Sequence, residues 1–406
     1  MSIWKTYKET SLVIKMSAGF FLGITIAIIF REQAAILSPL GTIFIRLLSL
    51  IATPVIFLTV TLAIGKMNIR QMGRLSGKLI LFYAVTTAMA VCIGVSLALL
   101  FNPGNNLSLP EVAVQQPEIP GASAMLLKIV PDNLLGAFAA GDLMAILFIA
   151  IIIGIAISTM TFSPDGQTKE QGLLLERFFN AFNELFYKIL GGILLYAPIG
   201  VMAISATTFG TQGWATLKSL LVFTATFYLG LVVLWSLVYT GFLKFYGYAA
   251  LRFFGDIKEA FATAFFTSSS LATLPVAISA AKKAGVSAKT ANFALPLGAI
   301  FNSDGGALRM GVSLVFAANI IGLDLALVDL VTIVVIGTVL SIGTAGVPAA
   351  GLVTLSAVLS MFGLPLEIVA LIAGVDALIG MGGTASNVVG DIIGAAVIDE
   401  KEAVTP

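Results

Sequence analysis

The sequence contains no histidine and a single cysteine, Cys92. Without histidine, the chain lacks the commonest general base and the commonest transition-metal ligand of proteins, which excludes a Ser-His-Asp triad and a histidine-ligated metal centre. One cysteine also excludes a disulfide within the chain. An enzyme is therefore the class of protein that this sequence favours least.

Charged residues are scarce too, at 11% of 406 residues, against roughly a quarter in an average soluble domain. Hydrophobic residues make up 58% of the chain, and the mean hydropathy is +1.04. So few charges cannot cover a water-facing surface of this size, and most of the surface is expected to face lipid. Because the chain has no basic run, nucleic acid is not an expected partner.

Apolar runs of about 20 residues or more, enough to cross a bilayer, recur along the chain. They predict an all-α polytopic membrane protein with eight transmembrane helices, near residues 11–30, 36–65, 78–101, 133–160, 178–206, 216–243, 290–321 and 368–398. Two further apolar stretches, 256–286 and 328–362, are interrupted at their centres by Thr267–Ser270 and Gly343–Pro348. A helix broken there can turn back, so we expect two re-entrant hairpins.

The distribution of lysine and arginine predicts the orientation in the membrane. Basic residues cluster before the first span, between the second and third spans, and on both sides of the first interrupted stretch. The loop at 102–130 instead carries Glu111 and Glu118 with one lysine, Lys128. This asymmetry places the N- and C-termini in the cytoplasm and the protein in the inner (plasma) membrane. The hairpins then enter from opposite sides, as inverted repeats do in transporters with a mid-membrane site.

Four charged residues fall inside predicted membrane segments of the last third of the chain: Asp304, Arg309, Asp376 and Asp391. Charge within a membrane is costly and usually marks a functional site, although a structural ion pair is the alternative. Asp304 lies in Asn302–Gly306, which interrupts the span at 290–321. Glycines there free backbone carbonyls, and Asn and Asp add side-chain oxygens. Oxygen ligands with one or two carboxylates suit a hard cation, and Na+ is favoured over a divalent ion.

Other polar groups lie at helical spacing. Asn387 and Asp391 are four residues apart and therefore project from one face of the last helix. Ser268–Ser270 can open a half-helix whose backbone N–H groups receive a carboxylate, and a simple polar turn is the alternative. Three hydroxyl groups also share one helical turn, a pattern that helix packing can produce as well: Tyr83, Thr86 and Thr87.

Several ordered motifs run from one end of the chain to the other. They are Arg46-Leu47-Leu48 ahead of Pro54, Tyr83 with Thr86-Thr87, Phe101-Asn102-Pro103-Gly104, Thr267 to Ser270 with Thr273-Leu274-Pro275, Leu295-Pro296-Leu297-Gly298, Ser341 to Pro348, and Asn387 to Asp391. Through them the chain resembles the dicarboxylate/amino acid:cation symporters, which include glutamate and aspartate transporters. The resemblance covers essentially the whole chain and is strongest from 255 to 398.

The resemblance implies a sodium-coupled homotrimer that works as an elevator, in which a transport domain slides against a fixed scaffold. Residues 1–77 would form scaffold helices 1 and 2, and residues 78–132 transport-domain helix 3 with an extracellular loop. Residues 133–177 would form scaffold helix 4, and residues 178–254 helix 5 of the scaffold and helix 6 of the transport domain. Residues 255–406 would form the transport-domain core of hairpin 1, helix 7, hairpin 2 and helix 8.

The resemblance also implies three sites for co-transported Na+. The first would use the carbonyls of Gly298, Asn302 and Asn387 with the carboxylate of Asp391. The second would use backbone near Ile300 and at Ser341, Ile342 and Thr344. The third would use Tyr83, Thr86, Thr87, Asn302 and Asp304. All the side chains that these sites need are present, so sodium coupling is expected.

The implied solute site departs from the family pattern. Gly380 stands where the family has an aspartate that binds the amino group, and Gly383 stands where acidic-substrate members have an arginine. The family's Asn-Met-Asp-Gly-Thr reads Asn-Ser-Asp-Gly-Gly over Asn302–Gly306. The residues expected to line the site are Ser268, Ser269, Ser270, Gly306, Arg309, Val347, Gly351, Gly380, Gly383, Thr384 and Asn387.

Arg309 is a charge that relatives usually lack, three residues beyond Gly306 and therefore on the same helical face. We hypothesise that it replaces the missing arginine and pairs with the solute. The alternative is that it pairs with Asp376 or Asp304 and never touches the solute. The sequence thus favours a dicarboxylate or acidic amino acid as the solute. A neutral amino acid or a larger monocarboxylate is the second candidate. An ion channel is less favoured, because two opposed hairpins argue against an open pore through the protein.

Overall fold

The computed structural model describes residues 10, 12–66, 74–105, 107, 130–141, 143–341 and 350–399. Within these residues the chain forms helices and no strand. The first eight α-helices are α1 (Leu12–Phe30), α2 (Ser38–Gly65), α3 (Arg74–Phe101), α4 (Leu134–Ala140), α5 (Leu143–Thr161), α6 (Gly166–Gln212), α7 (Trp214–Val233) and α8 (Thr240–Phe245). The others are α9 (Ala250–Thr267), α10 (Ser270–Lys283), α11 (Ala288–Phe301), α12 (Asp304–Ile321), α13 (Leu327–Ser341), α14 (Ala350–Met361), α15 (Glu367–Ala373) and α16 (Asp376–Ile398).

Two short segments of other helix types join these elements. A 3-10 helix, Arg31–Leu37, connects α1 to α2, and a π-helix, Leu234–Tyr239, connects α7 to α8. Six segments of the described chain are long and apolar enough to cross a membrane: Ile14–Leu62, Gly77–Phe101, Gly166–Thr211, Trp214–Phe245, Ala288–Ile321 and Asp376–Ile398. Large apolar side chains such as Phe21 and Leu81 are each 65% exposed, as expected for surfaces that face lipid.

Three predicted spans have different bounds in the structure. The span at 133–160 is divided, because Gly141 takes a left-handed φ of 67° that ends α4. The span at 178–206 is only part of α6, which begins at Gly166 behind an Asp165 cap and has a charged first third that hydropathy does not detect. The span at 368–398 breaks between α15 and α16, where Gly374 packs directly on the Phe20 ring of α1.

The interruptions that the sequence predicts near Ser268 and Asn302 are confirmed. α9 ends at Thr267 and α10 begins at Ser270, and the two helices pack against each other. Likewise, α11 ends at Phe301 and α12 begins at Asp304. The third predicted interruption, at 343–348, lies outside the described residues, between α13 and α14.

The helices pack in two groups. Helices α1, α2, α5 and α6 pack on one another, and helices α3, α7, α9 to α13 and α16 form a second group around α12 and α16. Helices α14 and α15 contact members of both groups. In the first group, α1 crosses α6 closely at Gly19 and Gly23, where a Cβ would overlap the carbonyl oxygens of Pro198 and Met202. Such small residues four apart allow helix backbones to approach within a membrane.

Candidate functional site

A cavity lies between the start of α10, the start of α12, α14 and the middle of α16. Within the described part of the chain, all of the predicted solute-site residues line it: Ser268, Ser269, Ser270, Gly306, Arg309, Gly351, Gly380, Gly383, Thr384 and Asn387. Val347 falls outside the described residues. The sequence analysis did not select seven of the lining residues for this site: Ser303, Gly305, Met310, Ser341, Thr354, Leu355 and Ile379.

The serine turn forms one end of this cavity. Ser269 is the N-cap of α10, and its side chain accepts a hydrogen bond from the Ala272 N–H at 3.2 Å. Ser268 holds a left-handed φ of 49°, which is uncommon for a residue with a side chain and recurs at functional sites. The N–H groups of the first turn of a helix have no intrahelical partner, so this end of the cavity can receive an anion.

Arg309 lies deeper, on α12, and is only 7% exposed. Its Nη1 forms an ion pair with Asp376 Oδ1 at 2.5 Å, so the alternative partner that the sequence analysis named is the one observed. The Nε and Nη2 atoms of Arg309 are buried and have no hydrogen-bond partner within the described part of the chain. Buried donors are rarely left unpaired, which indicates a place for an acceptor from outside the described residues.

The glycines around Arg309 have distinct roles. A Cβ on Gly380 would meet nothing within 4 Å, so this position opens space in the cavity. A Cβ on Gly305 would overlap the backbone of Gly383, so these two glycines let α12 and α16 cross closely. A Cβ on Gly351 would overlap Arg309 Nη1, so α14 lies directly against the guanidinium.

Beside the cavity, Asp304 is fully buried at the start of α12. Its Oδ1 accepts hydrogen bonds from the Thr87 hydroxyl at 2.7 Å and the Thr86 hydroxyl at 3.2 Å. Its Oδ2 accepts a third bond from the Tyr239 hydroxyl at 2.8 Å. The described chain therefore surrounds this carboxylate with hydroxyl oxygens and with no basic side chain at ion-pair distance.

Asp391, on α16, is linked to the same region through Asn302. The amide nitrogen of Asn302 donates to Asp391 Oδ1 at 2.9 Å and to the Asn387 carbonyl at 3.0 Å. The Asn387 side chain accepts from the Gly305 N–H at 2.7 Å, so it also fixes the start of α12. The first predicted ion site therefore has its members close together in the structure.

Tyr83 lies nearer to Asp391 than its assignment to the third predicted site suggests. A Cβ on Gly298 would lie 2.6 Å from both the Tyr83 hydroxyl oxygen and Asp391 Oδ1. The Tyr83 hydroxyl and Asn302 Oδ1 are buried without a hydrogen-bond partner in the described residues. The first and third predicted sites thus form one oxygen-rich cluster, comprising Tyr83, Thr86, Thr87, Tyr239, Gly298, Asn302, Asp304, Asn387 and Asp391, which we call the carboxylate cluster.

The second predicted ion site is only partly described. Ser341 is buried and lines the cavity, whereas Ile300 is 38% exposed and does not line it. Ile342 and Thr344 lie outside the described residues.

Sequence reasoning missed Tyr239. Its hydroxyl reaches Asp304 from the π-helix that follows α7, and π-helical turns often occur at functional sites. The available signal was a tyrosine inside an apolar span, where a buried hydroxyl needs a polar partner. Nothing in the sequence pairs it with Asp304, because 65 residues separate the two.

The arrangement defines a class of protein. The described residues contain no group of three His, Cys, Asp or Glu side chains that would hold a catalytic metal. They combine a buried polar cavity with adjacent carboxylates that have no basic partner, inside an apolar helical protein. These are features of a membrane transporter.

The chain belongs to the sodium:dicarboxylate symporter family, whose family model matches residues 12–401. It is 28% identical to a C4-dicarboxylate transport protein of Bacillus subtilis (strain 168), over 97% of this chain and 94% of that protein. It is 31% identical to a proton/glutamate-aspartate symporter of Escherichia coli (strain K12), over 90% of this chain and 85% of the relative. A proton/sodium-glutamate symport protein of Bacillus caldotenax is 28% identical, over 97% of this chain and 95% of that protein.

Proposed function

We propose that this chain is a sodium-coupled symporter of a dicarboxylate or an acidic amino acid. The observation that carries the proposal is the buried Arg309 guanidinium, which lines the cavity with two nitrogens that have no hydrogen-bond partner in the described chain. The start of α10 supplies a second positive pole through the N–H groups of its first turn and the helix dipole. A cavity with two positive poles suits a solute with two carboxylates, and the C4-dicarboxylate transport protein and the proton/glutamate-aspartate symporter are named for solutes of this kind.

Coupling to a cation follows from the carboxylate cluster. Asp304 and Asp391 are buried without a basic partner in the described chain, and a desolvated cation would balance their charge. Tyr83 and Asn302 add oxygens at the same place that have no hydrogen-bond partner in the described chain. Neutral oxygens with carboxylates suit Na+, and we assign the Asp391 and Asp304 ends of the cluster to co-transported sodium ions.

We further propose alternating access by an elevator motion within a homotrimer. The two packing groups support this proposal, since each group is packed mainly on itself. The group of α1, α2, α5 and α6 would be the scaffold, and the group around α12 and α16 would carry the solute. The termini would be cytoplasmic and the membrane the inner (plasma) membrane, as the distribution of basic residues predicts.

The test is uptake by the purified protein in liposomes. Labelled succinate and labelled aspartate are offered with an inward Na+ gradient, with choline replacing Na+ at constant pH, and with a proton gradient alone. Accumulation that needs Na+ supports the proposal. Full accumulation with the proton gradient alone would show that H+ is the coupled ion.

A neutral amino acid is the second candidate, and the Arg309–Asp376 pair is the observation that favours it. Because Asp376 already balances the arginine, the cavity carries less net positive charge than a free guanidinium would give it. Labelled asparagine and serine in the same liposomes distinguish the two candidates, since uptake of these solutes above that of the diacids would favour the second.

A further inference from the structure

We infer that Asp376 and Gly351 act as positioning residues, which hold Arg309 so that its Nε–Nη2 edge receives one carboxylate of the solute. The inference rests on the proposed function and deepens it, because it names the two groups that set selectivity for an acid. The observation behind it is an asymmetry of the guanidinium, in which one nitrogen is paired and the opposite edge has no hydrogen-bond partner among the described residues.

The geometry of arginine gives this asymmetry a chemical meaning. Nε–H and one N–H of Nη2 point in the same direction, and the two parallel donors match the two oxygens of a carboxylate. Nη1 lies on the other side of the planar group, where Asp376 Oδ1 contacts it at 2.5 Å. The bidentate edge of Arg309 is therefore the part that the described chain leaves buried and unpaired.

Two neighbours hold the guanidinium in this orientation. Asp376 is the first residue of α16 and is 8% exposed, so its carboxylate is a fixed and largely desolvated partner for Nη1. Gly351 lies on α14 and packs so closely on Nη1 that a Cβ there would overlap this nitrogen. Since one neighbour attracts Nη1 and the other limits its position, the rotation of the free edge is determined.

The roles of the two residues differ from a purely structural ion pair. A structural pair would need only charge balance, and loss of either partner would weaken the binding of every solute because the protein would fold less well. A positioning role instead requires an acceptor at Nη1, which an asparagine also provides. Gly351 would also affect the preference for the acid, although it has no side chain and therefore no charge or side-chain hydrogen bond.

The experiment measures solute affinity by calorimetric titration of the purified protein in saturating Na+. Two matched pairs are used, succinate with succinamate and aspartate with asparagine, and the ratio of the two affinities within each pair is the readout. The variants are Asp376→Ala, Asp376→Asn and Gly351→Ala. Gly380→Ala is the control for added volume, because its new Cβ would lie in the cavity with no atom within 4 Å.

We expect Asp376→Ala and Gly351→Ala to reduce the preference for the acid by about ten- to a hundredfold, the usual effect of losing a hydrogen bond to a charged group. Asp376→Asn should keep the preference within about threefold of the wild type, since its side-chain carbonyl oxygen can take the place of Oδ1 beside Nη1. Gly380→Ala should change the affinities for the two solutes of each pair by the same factor. Gly351→Ala keeps the ion-pairing residues, so it remains informative if Asp376→Ala fails to fold.

Equal loss of acid and neutral affinity in Asp376→Ala and Gly351→Ala would overturn the inference and leave the proposed function intact. A loss of preference in Asp376→Asn as large as in Asp376→Ala would also overturn it, because charge and not position would then be responsible. A wild-type protein that prefers the neutral member of both pairs would refute the proposed function and this inference together.

Discussion

Asn302 holds Asp391 by a single hydrogen bond, from the amide nitrogen to Oδ1 at 2.9 Å. This nitrogen also donates to the Asn387 backbone carbonyl. The amide oxygen of Asn302, Oδ1, is buried and has no hydrogen-bond partner in the described chain. A neutral amide cannot balance the charge of the carboxylate, which is 3% exposed. The pair therefore offers two oxygens to a cation.

Asp304→Asn and Asp391→Asn are expected to impair cation coupling without loss of folding. Each change keeps the volume of the side chain and removes the charge that compensates a desolvated cation. The Na+ concentration for half-maximal uptake should rise by about tenfold or more in each variant, since an ionic ligand contributes more than a neutral one. Size-exclusion chromatography checks the fold, and an unchanged Na+ dependence in either variant would remove that residue from the ion site.

Gly298→Ala is expected to block the Asp391 end of the carboxylate cluster. The new Cβ would lie 2.6 Å from both the Tyr83 hydroxyl and Asp391 Oδ1, so both oxygens must move. Uptake should need more Na+, and Na+ should stabilise the protein less against heat. Gly241→Ala is the matched control, because its Cβ would meet nothing within 4 Å, and a similar loss in both variants would contradict the prediction.

Tyr239→Phe removes one of the three hydroxyl groups that bond to Asp304. The ion-free protein should lose about 1.5–3 kcal/mol of stability, as expected for a hydrogen bond to a charged group. The loss should be smaller in saturating Na+, because the cation then balances the carboxylate. Tyr228→Phe is the control, since its hydroxyl donates to the Leu378 carbonyl at 2.7 Å and its loss should not depend on Na+. Thermal unfolding with Na+ or choline decides the matter.

Arg309→Ala is expected to have two separable effects. Leaving Asp376 buried without its partner should cost about 3–5 kcal/mol of stability. Losing the solute contact should weaken the binding of succinate by about 2–5 kcal/mol and the binding of succinamate much less. The double variant Arg309→Ala/Asp376→Ala should recover stability but not succinate affinity. Recovery of both properties in the double variant would show that Arg309 has a structural role alone.

Gly23→Ala should destabilise the crossing of α1 and α6, since its Cβ would overlap the Met202 carbonyl oxygen. A loss of about 1–3 kcal/mol is expected for overpacking at such a contact. Gly191→Ala on α6 meets nothing within 4 Å and should have little effect. Equal thermal stability of the two variants in detergent would show that the helices can separate without cost.

Much of the fold follows from the sequence, because breaks and apolar runs are local properties. Ser268 and Asn302 interrupt their helices where small polar residues replace the apolar pattern, and the structure places both breaks there. Hydropathy located the spans but not their ends, as at α6, whose charged first third continues the helix beyond the apolar part. The split between α15 and α16 depends on the contact of Gly374 with Phe20, which no local pattern encodes.

The sequence by itself determined a lipid-facing helical protein, the absence of histidine chemistry and the membrane-buried charges, since these depend on composition and spacing. Only the tertiary structure decided which of these charges meet. Arg309 forms an ion pair with Asp376, whereas Asp304 and Asp391 accept hydrogen bonds from hydroxyl and amide groups. One of these hydroxyl groups, that of Tyr239, reaches Asp304 from a distant helix. The physical reason is that a buried charge pairs with the group that the packing of distant helices brings within about 3 Å. The spacing of residues along the chain does not determine that distance.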